Sequence, residues 1–114
     1  MVTRGNPSGG ERMPVLFIGH GSPMNMVLSN RFTESLAALG PSLPRPEAIM
    51  VISAHWLTLG TFVTCTGSPR MIHDFFGFPQ ELYRVKYDCR GAPDHADRVV
   101  ALAGGEGTIR CDRA

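Results

Sequence analysis

The chain has 114 residues, 43% of them hydrophobic and 18% charged, with a formal net charge of +1. That size fits one domain, and the balance is ordinary for a globular chain and too apolar for a disordered one. Its scattered basic residues offer no footprint for nucleic acid or an anionic membrane, and no apolar run approaches the ~20 residues of a membrane span.

In chain order, residues 1–12 (MVTRGNPSGGER) are polar and glycine-rich and read as a flexible extension. They lack the apolar core of a secretory signal, so a cytoplasmic setting is expected. Pro14 to Ile18 (PVLFI) is a continuous apolar run that suits a strand buried on both faces. GHGSPMN, from Gly19 to Asn25, is loop chemistry. A helix is predicted over 30–39, with Phe32, Leu36 and Leu39 on one face, Ser29 or Asn30 as its cap, and Gly40 and Pro41 ending it. The proline-rich stretch 41–46 is an extended connection. Ala48 to Ser53 (AIMVIS) reads as a second buried strand and Thr61 to Thr66 (TFVTCT) as a third, with a turn at Leu59-Gly60. Met71 to Pro79 is aromatic and irregular. Leu82 to Tyr87 alternates like a half-buried strand, and 94–102 reads as a helix that can pack through Val99, Val100 and Leu102.

These elements predict an α/β fold with a mostly parallel or mixed sheet and flanking helices. Strand, helix, strand at the front suggests a βαβ unit, in which ligands gather outside the carboxyl ends of the strands. His20 follows the first predicted strand and His55 the second, so both can face one edge. Two imidazoles are the core of many metal sites, and a non-haem iron site for oxygen chemistry adds a third ligand and open positions.

Gly19 and Gly21 allow a close backbone approach beside His20, and Ser22 and Asn25 can contribute hydrogen bonds. His73 and Asp74 form a polar pair within the aromatic segment; His73 reads either as an acid-base group or as a buried histidine satisfied by backbone. His95, at a predicted helix start, reads as solvated or near a cap. Trp56, Phe75, Phe76 and Phe78 suit either the core or the wall of an aromatic-binding pocket. Cys65, Cys89 and Cys111 are an odd number without close spacing, so inert reduced thiols are expected rather than disulfides. A serine-hydrolase reading of GHGS fails on the missing GxSxG elbow and on Pro23, which removes a backbone donor next to Ser22.

Three motifs in this order, GHGSPMN at Gly19 to Asn25, SAHW at Ser53 to Trp56 and IHDFFGFPQELYRVKY at Ile72 to Tyr87, resemble the DOPA-type extradiol dioxygenases, a group of the class III (LigB-like) ring-opening enzymes. The resemblance spans residues 13–102. It implies an α/β fold, His20 and His55 as ligands of a divalent metal, Fe(II) or Zn(II), and His73 and Asp74 close to the active site. His73 is then the catalytic candidate, and Ser22, Asn25 and Asp74 are candidates for binding substrate. The implied reaction opens the ring of a catechol, a small aromatic diol, with dioxygen.

Members of that family are longer, and a later metal ligand and the base are expected in their C-terminal half. Residues 103–114 resemble nothing expected at that point and are read as an atypical tail. The resemblance therefore also predicts a truncated chain of doubtful activity, with weak metal binding and self-association through an exposed sheet edge. The alternative is a non-catalytic remnant that binds metal or a partner chain.

Overall fold

The computed structural model describes residues 12–103 and 108–113. The expected N-terminal extension lies, but for Arg12, outside the described residues. The chain divides into two units, one ending at Glu47 and the other beginning at Ala48.

Local polar contacts organise the first unit. Ser22 caps a short 3-10 turn, Pro23–Met26, by accepting the Met24 N–H at 3.2 Å. Pro23 opens that turn, where a missing N–H costs nothing. Helix α1, Arg31–Ser42, starts at Asn30, whose side chain accepts the N–H groups of Phe32 and Thr33. Thr33 Oγ1 in return accepts the Asn30 N–H at 2.9 Å, closing a reciprocal capping box. Glu34 lies in the first turn, where the helix dipole favours negative charge, and accepts a bond from Ser29.

The helix runs past its predicted stop at Gly40 and holds Pro41 inside its last turn. There proline forfeits one backbone bond, while the Leu43 N–H reaches Gly40 O and the Ser42 hydroxyl reaches Leu39 O. Thr33, Leu36 and Leu39 form the half-buried stripe; Phe32, predicted to share it, is exposed.

The second unit holds strand β1, Thr61–Thr64, the short helix α2, Gln80–Tyr83, helix α3, Pro93–Ala103, and strand β2, Ile109–Asp112. The strands pair in parallel, Thr61 opposite Ile109 and Val63 opposite Cys111. Parallel neighbours need a long crossover, and α3 serves as one, packing against both strands. The chain is thus α/β, as expected, but its βαβ unit lies at the back and is completed by the tail. Gly60, in the predicted turn, has φ of +105°, and a Cβ there would press on Arg110, whose guanidinium lies 4.6 Å from the Phe62 ring centre. Gly91 donates to Gly67 O at 3.0 Å; a Cβ on Gly91 would fall 1.9 Å from Thr66 O.

Three expectations need correction. Pro14 to Ile18 and Ala48 to Ser53 are extended without strand pairing, and their side chains face water: Val15 is 99% exposed and Ile52 91%. An extended segment becomes a strand only with a neighbour to take its backbone groups.

Leu82 to Tyr87 is not a strand either. Pro79 starts the turn of α2, which buries Leu82 completely and brings Tyr83 against Phe75, ring centres 5.2 Å apart. The packing of two apolar side chains outweighs a short alternating pattern with no strand beside it.

Cys65 and Cys111, expected as separate thiols, form a disulfide across 46 residues, and Cys89 alone is an exposed thiol. Parallel pairing brings them together: Cys65 follows β1, Cys111 lies in β2, and the Cys65 N–H donates to Asp112 O at 2.6 Å. In the chain-entropy account, a loop of that length stabilises the folded state by about 4 kcal/mol. The buried apolar residues among those described are Cys65, Leu82 and Ala96, so the core sits where β1, α2 and α3 lie.

Candidate functional site

In the first unit, the GHGSPMN loop is built around His20. Gly21 takes φ of +64°, the left-handed region that glycine enters at no cost. Asn25 then reaches back. Its Nδ2 donates to the His20 carbonyl at 2.8 Å, and its Oδ1 accepts from Asn30 Nδ2 at 3.0 Å. The loop is thereby tied to the cap of α1. The His20 ring places Nδ1 3.0 Å from the Gly21 carbonyl. A carbonyl oxygen only accepts, so Nδ1 carries the proton in this contact and Nε2 is the basic nitrogen.

In the second unit, the SAHW segment turns at His55, whose N–H donates to Ser53 Oγ at 3.1 Å. The His55 ring meets Asp74 through Nδ1, 2.5 Å from Oδ2, with both side chains partly open to solvent. An ionised carboxylate accepts and does not donate, so here too the ring proton belongs on Nδ1. His73, next along the chain, sets its ring edge-on to Phe75 at 5.7 Å. Phe75 continues into a cluster with Phe78 and Tyr83, and the Tyr83 hydroxyl donates to Phe75 O and accepts from the Phe78 N–H. Half-buried Phe75 and Phe78 therefore serve the packing of α2, whereas Phe76 is 90% exposed and Trp56 half-buried.

His20, Ser22 and Asn25 thus form one bonded group in the first unit, and His55 joins Asp74 in the second. Sequence reasoning held His73 and Asp74 together as a pair; the structure gives them separate neighbours, an aromatic ring and an imidazole. The His55–Asp74 contact spans nineteen residues. Proximity in the sequence could not reveal it; a carboxylate in a second motif beside a candidate ligand was the available signal. His95 lies in the first turn of α3, near the helix start as one of the two readings expected, and is half-buried.

Both rings suit a metal by donor chemistry. Metal-binding histidines characteristically hand one ring N–H to a carboxylate or a backbone carbonyl, which fixes the tautomer and turns the other nitrogen to the ion. His20 uses the carbonyl form and His55 the carboxylate form. Among the described residues, the one set of three candidate ligand atoms lying together is elsewhere, at Cys65, Asp97 and Cys111. Also among them, no helix is long and apolar enough to cross a membrane.

No family model matches the chain. Curated relatives do. The chain is 56% identical over 91 residues to the 4,5-DOPA dioxygenase extradiol of Escherichia coli (strain K12), a match covering 80% of this chain and 34% of that protein. It is 41% identical over 95 residues to the 4,5-DOPA dioxygenase extradiol of Beta vulgaris, covering 80% of this chain and 35% of that protein. Dioxygenase tasH of Hapsidospora irregularis is 38% identical over 100 residues, 87% of this chain and 30% of that protein. The chain spans about a third of the length of these relatives. Motifs and relatives agree, and the chain is a partial, N-terminal counterpart of the extradiol dioxygenases of the DOPA type.

Proposed function

We propose that this chain supplies the metal-binding histidines of an extradiol dioxygenase, an oxidoreductase that opens the ring of a catechol-type aromatic with dioxygen. The observation that carries the reading is the matched use of Nδ1 by His20 and His55, which makes Nε2 the coordinating nitrogen of each. Fe(II) or Zn(II) suits imidazole ligands, with Fe(II) the ion for oxygen chemistry. When bound, the metal supplies the coordination positions at which a catechol and dioxygen are held side by side.

The chain's own residues then have distinct tasks. Asp74 holds the His55 ring and offsets the charge that accumulates at the ligand. Asn25 holds the His20 loop against the start of α1. The Ser22 hydroxyl accepts the Met24 N–H and has its own O–H to donate toward a substrate oxygen, and Asp74 is the second polar group offered to substrate. His73, packed edge-on to Phe75, is the nearest candidate in this chain to take a phenolic proton. A cytoplasmic setting goes with this reading.

A second reading rests on another observation: Val15, Phe17 and Ile52 are each more than 90% exposed. Exposed apolar side chains of that kind, on either unit, mark contact surface. In this reading the chain acts by assembling with a second copy or another chain.

Anaerobic loading with ferrous iron, then addition of catechol and oxygen, tests the first reading through the yellow ring-opened product and through the iron retained. Iron binding should fall at least tenfold in His20→Ala and in His55→Ala. Equal iron retention by the parent and both variants would remove the basis of the assignment. Concentration-dependent sedimentation without metal retention would favour the second reading.

A further inference from the structure

Cys65, Asp97 and Cys111 come from three places in the fold: the residue just after β1, the middle of α3 and the interior of β2. Their ligand atoms lie within 4.8 Å of one another. Cys65 is buried at 3% exposure, Cys111 is half-buried, and Asp97 approaches from the solvent side. Cys111 Sγ stands 3.3 Å from Asp97 Oδ1. Arg113 Nη2 lies 3.5 Å from the same oxygen and 3.9 Å from the same sulfur.

The oxidised state does not explain this arrangement. A disulfide sulfur has no proton to give, so a carboxylate oxygen beside it gains no hydrogen bond there. A thiol donates to that oxygen, and a thiolate shares a cation with it. Arg113 adds positive charge beside the sulfur. Two thiolates and a carboxylate on a rigid βαβ frame are the donor set of a zinc-class ion, whose bonds run about 2.3 Å to sulfur and about 2.0–2.2 Å to oxygen.

We propose that Cys65, Asp97 and Cys111 form a thiolate site for a zinc-class divalent cation in the reduced chain, and that the disulfide is the oxidised, cation-free state of the same site. The exchange balances. A dithiol reductant gives two electrons and two protons to the Cys65–Cys111 bond and itself becomes a disulfide. The cation then displaces both thiol protons to solvent, and water fills its fourth position. A disulfide oxidant reverses the sequence after the cation leaves. In either state β1 and β2 stay joined, by a covalent bond or by coordination, and coordination adds α3 through Asp97. The site uses none of the residues assigned to ring cleavage, so it stands or falls separately.

The test is a cobalt(II) titration of the full chain, with Cys89→Ser as the background because Cys89 is an exposed thiol. After reduction by a phosphine, thiolate charge-transfer bands and the visible bands of tetrahedral coordination should appear and saturate at one equivalent of cobalt in the His20→Ala/His55→Ala background. Zinc should abolish both signals. The oxidised chain should show neither. The bands should persist in His20→Ala/His55→Ala, which separates this site from the proposed dioxygenase site. Cys111→Ser should remove the charge-transfer signal. Asp97→Asn keeps both cysteines, and so the fold tie, and should weaken cobalt binding about tenfold or more. Three results would overturn the proposal: no thiolate bands in the reduced chain, bands unchanged in Cys111→Ser, or cobalt affinity unchanged in Asp97→Asn.

Discussion

Strand β1 and the run Ala48 to Ser53 are both short, apolar and rich in branched side chains, yet only one of them is a strand. Thr61–Thr64 pairs with Ile109–Asp112 and is covered by α3. Ala48 to Ser53 pairs with nothing among the described residues, and Ile52 lies 91% exposed. Pro14 to Ile18 shares that condition. The difference lies in the company each segment finds. β-propensity measures how well a residue fits a pleated, half-buried surface, and it counts for little until a neighbour provides that surface. The relatives, of which the matched segment is only about a third, have chain to spare for such neighbours.

The comparison is sharpened most by supplying the neighbours. Mixing the chain with the remaining two-thirds of the Escherichia coli relative should protect the amides of 15–18 and 49–52 from hydrogen exchange by about a hundredfold or more. Protection that stays at the level of the isolated chain would show that the two runs are not strands awaiting partners. The pair that did form can be broken from within. Gly91→Ala places a methyl against Thr66 O, next to Cys65 and the end of β1, and should cost about 3 kcal/mol in urea unfolding. An unchanged midpoint would mean that the close approach of Gly91 to Gly67 does not hold the sheet.

The first unit provides a control that depends on no distant neighbour. Asn30→Ala removes two cap bonds and should reduce the stability of α1 by about 1 kcal/mol, seen as lost helical ellipticity, while leaving β1 and β2 unaffected. The smallest effect on stability is expected at the exposed run itself. Phe17→Asp should shift the unfolding midpoint by less than about 0.5 kcal/mol. The same change should reduce self-association in sedimentation velocity; if association is undiminished, the contact face lies elsewhere.

The same contrast separates what was legible in the sequence from what was not. Helix α1 was legible because its signals are local: a capping Asn30, a stripe of apolar residues, a proline near the end. Helix α3 and the Gly60 turn were legible for similar reasons. The partner of β1 was not, since the tail that provides it carries only Ile109 and Cys111 as alternating apolar positions. The disulfide was hidden with it, because nothing in three widely spaced cysteines says which two strands will lie side by side.

At the candidate site, GHGSPMN and SAHW named both histidines. The local glycine and asparagine chemistry of the first motif announced how its loop would be held. The carboxylate that holds the second histidine came from another motif and became visible only when the chain folded.

The Cys65–Cys111 link also has a consequence for handling the molecule. His73, Asp74, α2 and α3 all lie on the span that it closes. A single protease cut on that span produces two fragments that migrate as one species on a gel without reductant and separate when a thiol is added. Gel mobility under oxidising conditions therefore says nothing about whether the backbone is whole.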